Sequence, residues 1–167
     1  PVMWNGSDQL TGDSVRLFLS DGAPKRLEVR GHAFVASPAG REFHHQLAGR
    51  DLDGLFADGR LEILNMVGNG RTLYFAEPDT AAEAQARADS LPLPLPQANR
   101  AACTEIRMAL DSAGLRSIAL FSAPSGRFSD LAALGDHPLD GAPDAAHLPG
   151  FVLRSRPDSL QLSLIHI

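Results

Sequence analysis

The chain has 167 residues, 44% hydrophobic and 21% charged, so it can bury a core and is neither disordered nor fibrous. Its formal net charge of −5 offers no basic surface for phosphate backbones, and we expect no nucleic-acid partner. The single cysteine, Cys103, excludes an internal disulfide and a cysteine metal site, and we interpret it as a core residue. No stretch approaches the roughly 20 apolar residues that span a bilayer, so we predict no transmembrane segment in this fragment.

The strongest internal signal is a repeat with glycine landmarks. Residues 12–22 and 49–59 each begin on Gly and end on Asp-Gly. They lie 49 − 12 = 37 positions apart, and the same offset joins Gly31 to Gly68. Two independent landmarks therefore give one period, which is typical of a protein built from repeated supersecondary units.

A third, less regular copy begins near Cys103. Residues 106–110 match residues 15–19 at an offset of 91, and at that offset Gly31 falls on Ser122. We place one β-repeat domain at residues 1–127. Within it, the copies cover about 9–40, 46–77 and 99–127, with an insertion at 78–98.

Apolar residues alternate along each copy, which places them on one face of a strand. Val15, Leu17 and Leu19 show the pattern in the first copy, and Arg16 falls on the opposite face. Asp-Gly then supplies the positive φ that a tight reversal needs. Each copy is predicted to be a hairpin with one apolar face. The copies must stack to bury that face, so we predict an all-β fold such as a roll, sandwich or barrel.

The insertion and the tail break this pattern. Residues 79–90 are rich in Ala and predict a short helix or a mobile excursion, and the alternating prolines of residues 91–96 predict an extended segment. Residues 128–161 predict a loop-rich tail that lies over the β body. Residues 162–167 match the translation of a common transposon sequencing adapter, so we interpret the chain as an open-ended fragment.

Two local motifs resemble a metal site and a phosphate-binding loop, but the residues around them do not support either. His44 and His45 are adjacent, so on a strand they point to opposite faces, and no spaced ligand set surrounds them. We interpret them as surface or strand-end residues. Gly68-Asn69-Gly70 resembles the start of a phosphate loop, but a strand-like segment follows it, and we predict a turn.

Paired carboxylates and nucleophile motifs are equally weak. Asp51 and Asp53 share the strand face opposite Leu52, which is the solvent side of the repeat. Ser125-Gly126 lacks the Gly-x-Ser-x-Gly elbow of a serine hydrolase. We therefore expect neither an enzyme nor a bound cofactor or metal, and we predict no catalytic residues.

The repeats resemble a known family, the OstA-like proteins of the lipopolysaccharide-transport group, in particular the multi-repeat versions of Bacteroidetes-type bacteria. The resemblance depends on the order of several short segments, each of low specificity. The chain departs from the family pattern at the insertion and at His32, where Gly-Asn is usual. The segments that carry the resemblance are 9–17, 46–52, 67–75, 99–107, 148–151 and Arg156-Pro157.

This resemblance implies a β-jelly-roll of V-shaped, stacked hairpins whose interior shields the acyl chains of lipopolysaccharide. It also implies a periplasmic or outer-membrane-associated location, and joining to other proteins of the group through sheet edges. The lipid partner would be lipopolysaccharide or another lipid.

We therefore expect a non-enzymatic periplasmic lipid carrier or bridge. Phe56, Met66 and Met108 are the best candidates for acyl contact, because large or flexible side chains adapt to irregular tails. The alternative is a closed structural module that caps or docks to partner proteins of the envelope. The predicted apolar lining is Val15, Leu17, Leu19, Leu27, Val29, Leu52, Phe56, Leu64, Met66, Ile106, Met108, Ile118 and Leu120.

Overall fold

The structure is a computed structural model that describes residues 1–40, 43–76, 80–91, 93–94, 96–112, 114–130 and 147–155. Within these residues the chain forms nine antiparallel strands and one short helix, which confirms the all-β fold class. The elements in chain order are β1 Val2–Asn5, β2 Asp8–Thr11, β3 Ser14–Ser20, β4 Ala23–Pro38, β5 His44–Ala57, β6 Arg60–Ala76, α1 Thr80–Ala88, β7 Gln97–Asp111, β8 Gly114–Phe121 and β9 Ser125–Asp130.

The strands form one sheet in the order β1-β2-β4-β5-β6-β7-β8, with β3 also paired to β4 and β9 also paired to β7. The repeat offsets reappear in the strands. β4 begins at Ala23 and β6 at Arg60, 37 residues later, and β8 begins at Gly114, 91 residues after Ala23. In the third copy, β8 and β9 together therefore take the place of the single long strand that is β4 in the first copy and β6 in the second.

The predicted Asp-Gly hairpin turns are confirmed. Asp21 and Gly22 have φ values of 52° and 76°, and Asp58 and Gly59 have 50° and 73°. Two consecutive residues with positive φ define the type I′ turn, whose twist matches that of the two strands it joins. The sequence therefore determines these two hairpins locally.

Strands β4 and β6 each bend near the middle at a pair of left-handed residues. Gly68 and Asn69 have φ values of 82° and 56°, and the register of β6 shifts on either side of them. Our prediction of a turn here was wrong, because β6 continues through the pair as a bulged strand. The equivalent residue His32 has φ 50°, so it adopts at this position the backbone conformation of Asn69.

The bends divide the sheet into two arms. We call the part next to the hairpin turns the hairpin arm (residues 14–30, 51–67 and 105–121). We call the remainder the covered arm (residues 8–11, 33–38, 44–49, 70–76, 97–103 and 125–130). Residues of both arms pack into one hydrophobic cluster, in which Leu27 and Leu52 of the hairpin arm meet Leu10 and Leu47 of the covered arm. The sheet therefore folds over on itself.

The insertion contains a helix, and the tail begins later than predicted. Helix α1 confirms the helical interpretation of the insertion, and a Glu83–Arg87 ion pair at 3.6 Å links successive turns. Strand β9 runs to Asp130, so the loop-rich tail begins later than the predicted residue 128. Of the remaining tail, only residues 147–155 are described, and the predicted adapter translation lies outside the described residues.

Candidate functional site: the apolar groove between the arms

The predicted apolar lining falls almost entirely into two rows that cross the hairpin arm at right angles to its strands. We call the row nearer the bends the bend row and the other the mouth row. Strand registers place Val15, Val29, Leu52, Met66, Ile106 and Leu120 side by side in the bend row. They place Leu17, Leu27, Gly54, Leu64, Met108 and Ile118 side by side in the mouth row.

Burial decreases from the bend row to the mouth row. The four central residues of the bend row, Val29, Leu52, Met66 and Ile106, have no exposed surface. In the mouth row Met108 is half-buried and Ile118 is 37% exposed. The groove is therefore filled with side chains close to the bends and accessible farther out.

Two predicted residues leave these rows. Leu19 and Phe56 both follow a register shift, between Phe18 and Leu19 in β3 and between Leu55 and Phe56 in β5. Phe56 still packs at the border of the cluster, whereas Leu19 is 58% exposed. The extra residues, Lys25 and Glu62, lie in the partner strands β4 and β6, so the alternation along β3 and β5 is unbroken. Leu19 is exposed because it lies at the end of the hairpin, beyond the core.

The accessible part of the groove contains a cavity of about 300 Å³. It lies between Val35 and Leu47 of the covered arm and Leu64, Met108 and Leu110 of the hairpin arm. A second cavity of about 300 Å³ shares Thr72 and Tyr74 with the first and extends past Ala101 of β7 to Leu120 of β8. Each volume lies at the small end of the range for ligand sites.

The sequence interpretation missed the covered arm as the second wall of this groove. A signal was present, because the repeat offset of 37 relates Leu10 to Leu47 and Ser37 to Tyr74. Tyr74 lies beyond Gly68-Asn69-Gly70, where we expected a turn. Since the strand continues through the bulge, its second half faces the first across the groove.

Polar groups stand at one margin of the groove. The rings of His45 and Tyr74 stack with centroids 4.3 Å apart, and His45 Nδ1 accepts a hydrogen bond of 3.2 Å from the backbone N–H of Phe75. His45 and Tyr74 both line the first cavity. His44 instead lies near Phe151 of the tail, so the two histidines occupy opposite faces as predicted.

The last two strands leave apolar side chains exposed where the groove ends. Strands β8 and β9 each pair only with β7, so within the described residues both are edge strands. Leu115 and Ile118 of β8 are 39% and 37% exposed, and Phe128 of β9 is 66% exposed. The groove is therefore open on this side.

The outer face of the hairpin arm is charged. Asp53 Oδ1 lies 2.9 Å from Arg30 Nη2 and 3.0 Å from Arg26 Nη2. Burial raises the pKa of the Asp53 carboxyl, but hydrogen bonds and charge from Arg30 and Arg26 outweigh it, so the net pKa shift is downward. Hydrogen bonds from Arg50 and from the backbone N–H of Gly31 lower the pKa of Asp51. The predicted outward placement of both aspartates is confirmed, and they form ion pairs.

The outer face of the covered arm carries an apolar cluster, and the tail packs on it. Its cluster includes Phe34, Leu73 and Phe75 of the sheet together with Leu148 and Phe151 of the tail. We call residues 147–155 the C-terminal strap. The predicted position of the tail over the β body is confirmed for this segment.

Polar side chains at repeat-equivalent positions hold the strap. Gln46 Oε1 accepts from the Leu148 N–H, and Gln9 Oε1 from the Arg154 N–H, both at 2.7 Å. Arg100 Nη2 donates to the carbonyl oxygen of His147 at 3.0 Å. Gln46 and Arg100 lie 37 and 91 residues after Gln9, so each repeat contributes one contact to the main chain of the strap.

The described residues contain no cluster of three or more His, Cys, Asp or Glu side chains that could hold a metal ion. No helix among them is long and apolar enough to cross a membrane. Cys103 is buried, and its Sγ donates to the carbonyl oxygen of Glu105 at 3.0 Å, as expected for a core cysteine.

Comparison of the chain with protein-family models, with curated proteins and with solved structures finds no match.

Proposed function

We propose that this protein is a non-enzymatic module that holds acyl chains in the apolar groove between its two arms. The observation that carries the proposal is the pair of adjoining cavities between apolar residues of the two arms, next to exposed Leu115 and Ile118. Transfer of an alkyl chain from water to such a surface is favourable by about 0.8 kcal/mol per buried CH₂ group. Met108, half-buried in the mouth row, is the best-placed of the three predicted acyl contacts.

The lipid and the location are proposed on the resemblance to OstA-like proteins. On that basis the module is periplasmic or outer-membrane-associated, adopts a β-jelly-roll and carries or bridges lipopolysaccharide toward the outer membrane. Joining to other proteins of the transport group would use the edge strands β8 and β9, whose free backbone groups can accept a further strand.

The alternative is a closed structural module that docks to envelope proteins and carries no lipid. The complete burial of Val29, Leu52, Met66 and Ile106 favours it, because a filled core near the bends leaves no room for an acyl chain there. The two functions differ in whether the mouth row contacts lipid.

Site-specific photo-crosslinking distinguishes them. A benzophenone amino acid at Met108 faces the groove, and the same probe at the neighbouring Arg107 faces the charged outer side. After incubation with lipopolysaccharide, and in parallel with phospholipid vesicles, we expect lipid labelling at Met108 that clearly exceeds labelling at Arg107. Equal labelling at both positions, or none at Met108 with either lipid, would contradict the carrier and support the closed module.

A further inference from the structure

A third cavity lies on the other side of the sheet from the groove, beneath the C-terminal strap. It has a volume of about 350 Å³ and is lined by Thr11 and Arg71 of the covered arm, by Asp13 and His32 at the bend and by Arg154 of the strap. Because it shares no lining residue with the two cavities of the groove, an inference about it does not depend on the proposed function.

Arg71 is the unusual group in this cavity. The strand registers place it on the outer face beside Ala48 and Ala102, and its Nε atom is buried without a hydrogen-bond partner. No carboxylate among the described residues lies within ion-pair distance of it, whereas Arg26 and Arg30 both pair with Asp53. The Arg71 side chain lines the cavity without a paired carboxylate, so an acceptor held in the cavity would offset part of the cost of burying the guanidinium.

The strap brings a second guanidinium to the same place. Arg154 lines the cavity, and its backbone N–H is held by Gln9, which determines where its side chain begins. The one carboxylate in the lining, Asp13, already contacts His32 Nδ1 at 2.9 Å. The lining therefore holds two arginine side chains and one carboxylate.

We propose that this cavity binds a compact oxyanion, such as a phosphate, sulfate or carboxylate group, with Arg71 as its main ligand. The planar guanidinium presents N–H donors in a fork that matches two oxygens of such a group. Arg154 supplies a second positive charge, and the Thr11 hydroxyl supplies a neutral donor. The oxyanion is either a free inorganic ion or the charged group of a larger molecule.

Inorganic phosphate tests the site directly. Isothermal titration of the full chain with phosphate, at an ionic strength held constant with sodium chloride, should show binding to the unsubstituted protein. R71Q should weaken this binding at least about tenfold, because it removes a charge-assisted contact. R71K keeps the charge without the fork and should show an intermediate loss.

The matched control is R116Q, since Arg116 is exposed on β8 and lies outside this cavity. R116Q should bind phosphate as the unsubstituted protein does. Because R71Q could disturb the sheet, R154Q provides a second variant at an exposed side chain, and it should weaken binding in the same direction. Undetectable phosphate binding, or equal affinities for R154Q, R116Q and the unsubstituted chain, would overturn the proposal.

A phosphate ester identifies the source of the oxyanion. Glucose 6-phosphate carries the same group on a larger molecule, and the cavity of about 350 Å³ has room for more than the phosphate. Binding of the ester at least as tight as that of inorganic phosphate, and lost in R71Q, would assign the site to the charged group of a larger ligand. Tighter binding of inorganic phosphate, again lost in R71Q, would assign it to the free ion.

Discussion

The two arms of the sheet differ in what covers their outer faces. In the hairpin arm one face is apolar and the other carries ion pairs such as Arg30–Asp53, so water can cover its outer side. In the covered arm both faces carry buried apolar side chains, with Leu47 on the inner side and Phe34 and Phe75 on the outer. A sheet with apolar side chains to bury on both faces needs a third layer, and the C-terminal strap supplies it.

The largest expected change in unfolding free energy comes from the contrast between buried and exposed residues of the hairpin arm. Leu52 has no exposed surface, whereas Leu55, three residues later on β5, is 50% exposed. We expect L52A to lower the free energy of unfolding by about 2 to 5 kcal/mol, because it removes core contacts and leaves a cavity. Urea unfolding followed by circular dichroism measures this loss.

L55A is the matched control, with the same change in side-chain volume, and should stay within about 0.5 kcal/mol of the unsubstituted chain. Similar losses for the two variants would show that the hairpin arm does not have one buried and one exposed face.

A substitution that releases the strap from the covered arm should have an intermediate effect on stability, confined to the strap. Gln46 is 2% exposed and accepts the Leu148 N–H, so Q46M should leave that donor without a partner at a cost of about 1 to 3 kcal/mol. We expect faster hydrogen exchange at Leu148 and along the strap, with unchanged exchange in the hairpin arm. Hydrogen–deuterium exchange with mass spectrometry resolves the two regions.

Gln97 on β7 is exposed and provides the control variant Q97M. Unchanged protection of the strap in Q46M would mean that apolar packing alone holds it, and that the repeat-equivalent polar contacts do not.

A substitution on the charged face of the hairpin arm should have the smallest effect, a change in how the unfolding free energy depends on pH. The pKa of Asp53 is lower in the folded protein than its ordinary value, so its stabilising contribution is present at neutral pH and lost as pH falls below about 4. D53N should therefore reduce the loss of unfolding free energy between pH 6.5 and pH 3 by up to about 1 kcal/mol. Urea unfolding at the two pH values measures it.

The control is D58N, because Asp58 occupies an exposed hairpin turn where Asn also adopts positive φ. An acid sensitivity of D53N equal to that of D58N and of the unsubstituted chain would show that the Asp53 ion pairs contribute nothing measurable.

Much of the hairpin arm was predictable from local patterns. Alternation of apolar residues identified eleven of the positions that the registers place in the bend and mouth rows, and the Asp-Gly pairs identified two turns. Of the two predicted residues outside the rows, Phe56 still packs against the core, whereas Leu19 lies at the end of its hairpin and is exposed, which alternation along one strand does not reveal.

The covered arm was much harder to predict. Gly68-Asn69 has the composition of a turn, and in the structure the chain does adopt positive φ there, but it continues as a bent strand. Composition identifies the local backbone conformation, and it does not say whether the strand ends there, because that depends on whether both halves find partner strands.

The amino-acid pattern alone was sufficient for the all-β class, the period of 37 residues and the tight turns, because each depends on neighbours within one strand or hairpin. Contacts between residues that are far apart in the chain decide how the arms face each other, which parts of the groove are filled and where the strap lies. Gln9 and Arg154 are 145 residues apart and meet only in the folded protein, so no local pattern reveals their hydrogen bond.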